Sequence, residues 1–536
     1  MRKHFLPLLF IFSLISSTSL GQENTELFRI DNHSVSVAEF KKEYEKNLGI
    51  MVDEDARDVE KYLDLYINYK LKVQNAYDLR LDTIASYKKE LEGYKKQLIT
   101  PYLQDDATIN ALVKEAYERS KIEVRASHIL IRFTNKEKQK DTTAAYAKII
   151  AVKKRVLAGE DFGKLARELS DDPSAKTNRG DLGYFSTFRM VYPFEEKAYN
   201  TNLGEVSEPF ETRYGYHILY VTDKRPSQGE FEVAHILAKD RTIVGKVRID
   251  SLYQQIKNGS SFEEVAKRYS QDVGTASNGG KLPRFGAGSM VTEFENAVLA
   301  LDSVNAISVP IKTKYGWHII KLLQKFPVGS FAEEKKNIET KVKRSDRIKL
   351  SREAVLQKLN REYKITINSK ALQPFYDYKL ENLNEQELES TLLTIASKKI
   401  PQKDFYDFLK YRRNRNVDEA IVQFKNKELV TYFKEDLVNR EPEFKNTLSQ
   451  YKEGLLLFAL MQQKVWQKSA SDTIGLRKYF VKNKSKYIGE LEDNKGKIIS
   501  DYQQELEREL LVELKNKYTV HVSNEELQKL KKTYTN

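Results

Sequence analysis

Four histidines occupy matching places in this 536-residue chain. His128-Ile129-Leu130 is answered by His235-Ile236-Leu237, and Gly215-Tyr216-His217-Ile218 by Gly316-Trp317-His318-Ile319. His4, His33 and His521 share no such pattern. Two imidazoles brought side by side can share a hydrogen bond and fix each other's tautomer. The same placement also suits buried histidines that do no more than order a sheet. A metal site would need a third Asp, Glu or Cys at ligand spacing, and none stands near either pair. No serine or threonine is flanked as a nucleophile would be. Asn278-Gly279-Gly280 has no following Lys-Ser and reads as a turn rather than a phosphate cradle. No metal or cofactor is expected.

The elements that must position these histidines form an internal repeat. Phe162-Gly163-Lys164-Leu165-Ala166 corresponds to Phe262-Glu263-Glu264-Val265-Ala266. The same offset links Ser170 to Ser270, Asp172 to Asp272, Gly180 to Gly280, Leu182 to Leu282, Phe185 to Phe285, Met190 to Met290 and Phe194 to Phe294. Each copy reads as a strand, two helices, a glycine-rich loop, a helix and a returning strand. Val124–Phe133 alternates as a strand, 144–157 and 162–169 carry helical spacing, and 215–222 returns as a strand. The pattern predicts a small α+β domain built twice, with a histidine on the first and last strand of each copy.

Arg125-Ala126-Ser127-His128-Ile129-Leu130, Gly159-Glu160-Asp161-Phe162, Ser170-Asp171-Asp172-Pro173-Ser174, Gly180-Asp181-Leu182-Gly183-Tyr184-Phe185 and Tyr214-Gly215-Tyr216-His217-Ile218 together resemble a parvulin domain from end to end. The second repeat resembles another, and the two cover about 200 residues. The whole arrangement resembles the SurA group of periplasmic chaperones. The resemblance implies a peptidyl-prolyl cis–trans isomerase. Its catalytic residues would be His128, Asp172 and His217 in the first copy and His235, Asp272 and His318 in the second. Its proline pockets would be formed by Leu182, Phe185, Met190, Phe194 and Thr212, and by Leu282, Phe285, Met290, Phe294 and Thr313. The chemistry suits these residue types. Rotation about an Xaa-Pro bond meets a barrier of ~20 kcal/mol but breaks no bond, so no nucleophile is needed. A dry pocket can hold the proline ring while an adjacent polar cluster favours the twisted amide.

Both copies depart from the family pattern. Phe188 stands where the second copy has Gly288, which is expected to narrow the first pocket. Lys281 and Pro283 stand where the first copy keeps Asp181 and Gly183, which is expected to reshape the second loop. The loop from Thr134 to Asp141 has no arginine cluster, so a phosphate-directed parvulin is not implied.

Around the repeats lies a weaker duplication. Ile30–Val35 with Phe40 matches Ile395–Ile400 with Phe405; Tyr87, Leu91, Tyr94 and Leu98 match Phe444, Leu448, Tyr451 and Leu455; and Leu359, Tyr363, Ile365 and Ile367 match Leu514, Tyr518, Val520 and Val522. The reading is a signal peptide over 1–21, a helical chaperone segment over 22–121, parvulin domains over 122–226 and 227–326, a segment over 327–380 that completes the first helical module, and a second helical module over 381–536. Arg2 and Lys3 followed by an apolar stretch from Phe5 to Leu20 carry the signal-peptide reading, which places the protein in the periplasm. The absence of cysteine excludes disulfides, thiolate metal sites and a lipid-modified cysteine. The formal net charge is +13, with both signs interspersed and a mean hydropathy of −0.60, as on well-solvated helices. Neither nucleic-acid binding nor stable membrane insertion is expected.

The expected partners are unfolded or partly folded exported polypeptides, outer-membrane proteins among them. A competing reading is a holdase or envelope assembly factor whose parvulin folds only bind clients. The tyrosines Tyr62, Tyr66, Tyr69, Tyr87 and Tyr94, on helical faces, suit either an adaptable client groove or simple packing.

Overall fold

The computed structural model of the protein describes residues 25–49, 57–133, 141–412 and 416–534. The expected leader, and the 134–140 stretch without an arginine cluster, lie outside the described residues. No helix among them is long and apolar enough to cross a membrane. The chain forms two compact units, Met1–Pro101 with Thr431–Asn536, and Tyr102–Val430.

The second unit contains both repeats. In the first, Ile122–Arg132 and Gly215–Pro226 form the centre of a four-stranded antiparallel sheet, flanked by Asp181–Phe185 and Phe210–Thr212. Alternation along the central strands divides the sheet into two buried faces. Ile129, Ile131 and Ile218 pack under the helices Thr142–Leu157 and Phe162–Leu169. Val124, Ala126, Leu219 and Val221 face the other way, onto Phe185, Phe194 and Phe210. The second repeat has the same strand order, with Glu230–Ala238 and Gly316–Phe326 at its centre. Helix caps follow the sequence correspondence: Asp161 accepts from the Lys164 amide at 2.7 Å, and its counterpart Ser261 from the Glu264 amide at 3.4 Å.

The helices Asp106–Ser120 and Phe331–Arg344 bury Ile109, Leu112, Val113 and Ala116 against Ile338 and Val342. Tyr117, Phe331, and Phe188 and Tyr192 from the first repeat join this cluster. Phe188 therefore docks the first repeat on the helical arm and belongs to that cluster, not to the apolar cluster of Leu182, Met190 and Phe194. The expected narrowing of the first pocket is thus corrected. Its backbone is left-handed at φ 66°, as is that of Gly288 at φ 77°. The turn demands that conformation, and the aromatic packing offsets its cost in a residue with a Cβ.

The duplicated outer scaffold pairs differently from the sequence reading. The sequence predicts that the segment over 327–380 closes the module at 22–121. In the structure the hairpin Glu26–Ile30 and His33–Ser36 is closed by Val520–Val522, with Phe28 opposite Val522 and Ile30 opposite Val520. The strand Ile365–Ile367 instead closes the hairpin Thr391–Ile395 and Lys398–Pro401. Three-residue strands of matching sequence carry little register information of their own. The helices before them decide. Lys495–Lys517 buries Tyr502, Leu506, Leu510 and Leu514 in the same core as Leu63, Ile67 and Leu71 of Val59–Asp78. Tyr518 then donates to Asp78 at 2.6 Å and accepts from Asn75 at 3.1 Å. Ile348–Glu362 packs on Asp106–Ser120, in the other unit.

Candidate active site

Register alone brings each histidine pair together. His128 lies opposite Leu219 and His217 opposite Leu130, so the two are diagonal neighbours on one sheet face. His235 and His318 lie opposite Ile320 and Leu237 in the same way. Gly180 makes the approach possible. The His128 amide donates to the Gly180 carbonyl at 2.9 Å, and a Cβ on Gly180 would stand 2.6 Å from the His128 carbonyl oxygen. The loop after Phe162–Leu169 brings the acid. Ser170 Oγ accepts from the Leu130 amide at 3.1 Å and the Asp171 amide donates to the Leu130 carbonyl at 2.8 Å, which sets Asp172 beside His128.

The result is a line of four polar side chains. In the first repeat His128 Nε2 meets Asp172 Oδ2 at 2.7 Å, His128 Nδ1 meets His217 Nδ1 at 3.4 Å, and His217 Nε2 meets Thr212 Oγ1 at 2.8 Å. The second repeat reproduces it: His235 to Asp272 at 2.7 Å, His235 to His318 at 3.3 Å and His318 to Thr313 at 2.9 Å. Ionised Asp172 can only accept, so His128 Nε2 carries a proton and its Nδ1 accepts from His217 Nδ1–H. His217 Nε2 then accepts from the Thr212 hydroxyl. One proton direction thus runs from Thr212 to Asp172.

Electrostatics hold this order. The hydrogen bond from His128 keeps the Asp172 carboxyl far below the usual carboxylate range, with further help from Ser174. Burial, and then the neighbouring His128, push His217 down to about 3. Burial and His235 push His318 down to about 4. Asp272 is pulled up by burial, but hydrogen bonds from Thr275 and His235 outweigh this and hold it below its ordinary value.

Beside each line stands an apolar wall. Phe194 is edge-on to both His128 and His217, with centroids 5.5 and 5.7 Å away. Phe294 is edge-on to His235 and His318 at 5.9 and 5.5 Å. Leu182 and Met190 pack half-buried in the Phe194 cluster, as Leu282 and Met290 do in the Phe294 cluster. Phe185 is fully buried behind Phe194, and Phe285 lies behind Phe294, so both support the wall from within.

The second loop is reshaped, as its sequence implied. Asp181–Phe185 is a five-residue strand, whereas only Phe285–Gly286 remains of its counterpart. The ion pair Arg125–Asp181 of the first repeat becomes Glu232–Lys281 in the second, with its signs exchanged.

Three contributors escaped the sequence reading. Thr275 donates to Asp272 at 2.6 Å and lies 3.2 Å from His235 Nε2. Ser174 donates to Asp172 from both its amide and hydroxyl at 2.9 Å. Glu195, fully buried, accepts from the Phe188 amide at 2.8 Å and pairs with Arg119 and Arg347. Its counterpart Glu295 accepts from the Met290 amide at 2.9 Å. The Glu195–Glu295 match at the repeat offset was the available signal.

A twofold-built four-stranded antiparallel sheet, with paired histidines, an acid and a threonine beside an apolar wall, defines a parvulin-class protein. Residues 111–225 and 236–324 each match a family model described as a PPIC-type PPIASE domain. The chain is 32% identical over 241 residues to a protein named foldase protein PrsA from Geobacillus kaustophilus, covering 42% of this chain and 82% of that one. It is also 32% identical over 212 residues to a chaperone SurA of Methylobacillus flagellatus, covering 38% of this chain and 48% of that one. A chaperone SurA of Alcanivorax borkumensis is 30% identical over 253 residues, with 46% and 57% covered. The chain thus spans about half the length of these SurA chaperones. It belongs to the PPIC-type peptidyl-prolyl isomerase family.

Proposed function

We propose that the protein is a periplasmic peptidyl-prolyl cis–trans isomerase and folding chaperone acting on unfolded exported polypeptides, outer-membrane proteins among them. The observation that carries this reading is the Asp–His–His–Thr line beside a Phe–Met–Leu wall, present in both repeats. The twisted Xaa-Pro amide has lost its resonance and is less polar than the planar one, so an apolar wall favours it. The proline ring would rest on Phe194 or Phe294 while the preceding carbonyl swings past the polar line. Neutral His217 and His318 keep a cationic charge away from the reacting amide. Lowering the ~20 kcal/mol barrier by about 4 kcal/mol gives roughly a thousandfold acceleration. No bond to the protein forms at any stage.

The deciding experiment follows cis–trans exchange of a proline peptide by NMR with the full-length chain, without a coupled protease. Catalysed exchange is expected. Phe194→Ala and Phe294→Ala, singly and together, should divide the activity between the two sites. Exchange at the uncatalysed rate with the unmodified protein would overturn the isomerase reading.

A specific feature favours a holding role beside catalysis. In the first unit Tyr62, Tyr66, Tyr69 and Tyr77 line a groove of about 1090 Å³ together with Leu448. Lys70 bridges Glu39 and Glu453 in its wall, at 2.8 Å to each. Rings with polar tips around a partly exposed charge bridge suit extended chains of varied sequence. Tyr87 is buried in the core and Tyr94 stacks on Tyr451 at 4.5 Å, so those two serve packing.

A further inference from the structure

The docking of the first repeat on the helical arm creates a groove beside its proline site. It measures about 670 Å³ and runs from Met190, in the wall of the first proline site, to the end of the helix Phe331–Arg344. Its lining is strongly basic. Arg189 and Arg213 contribute from the repeat, and Lys341, Arg344 and Arg347 from the arm. One acid lines it, Asp346, which is paired with Lys349 at 2.9 Å.

The cations are not neutralised in place. Among the described residues none of Arg189, Arg213, Lys341 or Arg344 has a carboxylate within 4.0 Å. Arg189 donates to the Gly288 carbonyl, Arg213 donates to the Tyr214 hydroxyl at 2.7 Å, and Lys341 lies 5.9 Å from the Phe188 ring centroid. Arg347 supplies an independent sign. It is 1% exposed and pairs with Glu195 through its Nη2, yet its Nε has no hydrogen-bond partner. A buried guanidinium N–H left unpaired is costly and marks a place where an acceptor belongs.

We propose that this groove is an anion subsite of the first parvulin domain, which takes the side-chain carboxylate of an Asp or Glu a few residues from the client proline. The assignment rests on the reading that the first site receives client prolines. An extended chain advances about 3.3–3.6 Å per residue, so a carboxylate near the proline can enter a groove that begins at Met190. Arg344 and Lys341 would meet it at the exposed end. The preference belongs to the first domain, because the second has Ser289 where the first has Arg189.

The test measures binding of fluorescent proline peptides to the full-length chain by anisotropy at low salt. One glutamate is placed at successive positions either side of the proline and compared with glutamine. The peptide C-termini are amidated so that only the side chain supplies charge. At one or more positions the glutamate peptide is expected to bind about fivefold more tightly, a preference that fades in high salt. Lys341→Gln with Arg344→Gln should bring the ratio close to one. Lys341→Glu with Arg344→Glu should make a lysine peptide the tighter ligand. Both side chains are exposed, and an unchanged melting temperature would verify the fold. A ratio of one at every position with the unmodified chain, or a preference that survives both substitutions, would overturn the proposal. Catalysed exchange of the glutamine peptide reads the proline pocket alone, so its loss is separable from loss of the charge preference.

Discussion

Protonating His217 places a charge where the protein has removed the water to solvate it. Its folded value of about 3 lies below the ordinary 6.5, and His318 at about 4 lies below it too. Between those limits the unfolded chain binds protons that the folded domains refuse. Stability from these histidines is therefore complete above about pH 6.5 and falls as the pH drops toward the folded values. Asp172 contributes in the same direction lower down: its stabilisation is present above the ordinary carboxylate range and is lost in acid. For His217 the loss at pH 4 is on the order of 3 kcal/mol. Urea unfolding of the intact chain between pH 7 and 4.5 should show this slope, and His217→Gln should flatten it in the first domain. A midpoint independent of pH over that range would contradict the neutral, proton-ordered line. At this scale the sequence was most readable. His128 and His217 come together as their repeat positions suggested, because strand register puts residues two apart on one face, while Asp172 and Thr212 stand beside them where the parvulin resemblance implied. Thr275 was not readable, since Ala175 stands at its place in the first copy and no repetition marks it.

The turn before Phe194 joins the proline site to the rest of the fold, and the two copies build it with different partners. Glu195 receives Arg347, Arg119 and the Phe188 amide, all out of water. Glu295 receives backbone amides, from Met290 foremost, and burial pulls its carboxyl above the ordinary value. Removing the charge from Glu195 would strand the buried Arg347 guanidinium, whereas Arg119 keeps its pair with Glu115 at 2.6 Å. Glu195→Gln is therefore expected to destabilise the first domain by about 3–5 kcal/mol. Glu295→Gln should cost less than about 1 kcal/mol, because the new amide oxygen still accepts from the Met290 amide. Denaturant titration of both variants, followed by site-resolved hydrogen exchange, checks the asymmetry; equal losses would mean that the arginines add nothing. The sequence hinted at this element through Phe188 and through the Glu195–Glu295 match. A phenylalanine in place of glycine reads locally as an obstruction. Only the arm over Asp106–Ser120 and Phe331–Arg344, distant in sequence on both sides, supplies the cluster that the ring enters.

At the scale of the whole chain, duplication made the parvulin pair legible and the outer scaffold ambiguous for one reason. A repeat that closes on itself within about 100 residues leaves one choice of partner. Two open hairpins and two closing strands of like pattern leave two, and Ile365–Ile367 could match Glu26–Ile30 as well as Val520–Val522 does. The choice lies in the buried faces of Ile348–Glu362 and Lys495–Lys517, which become distinct only once their packing partners are known. The observed pairing makes the residues after 430 indispensable to the first unit. A chain ending at residue 430 would lose Leu456, Leu460, Leu506, Leu510 and Leu514 from the core around Leu63, Ile67 and Leu71, and would leave Glu26–Ile30 without its outer strand. Each lost leucine is worth roughly 2–5 kcal/mol, so the remaining helices have no folded state of their own. Limited proteolysis of that truncation should cut within 25–101 and spare the two parvulin domains. Protection of 25–101 in the shortened chain would mean instead that Ile365–Ile367 can close the first hairpin, and that the two halves of the scaffold are interchangeable.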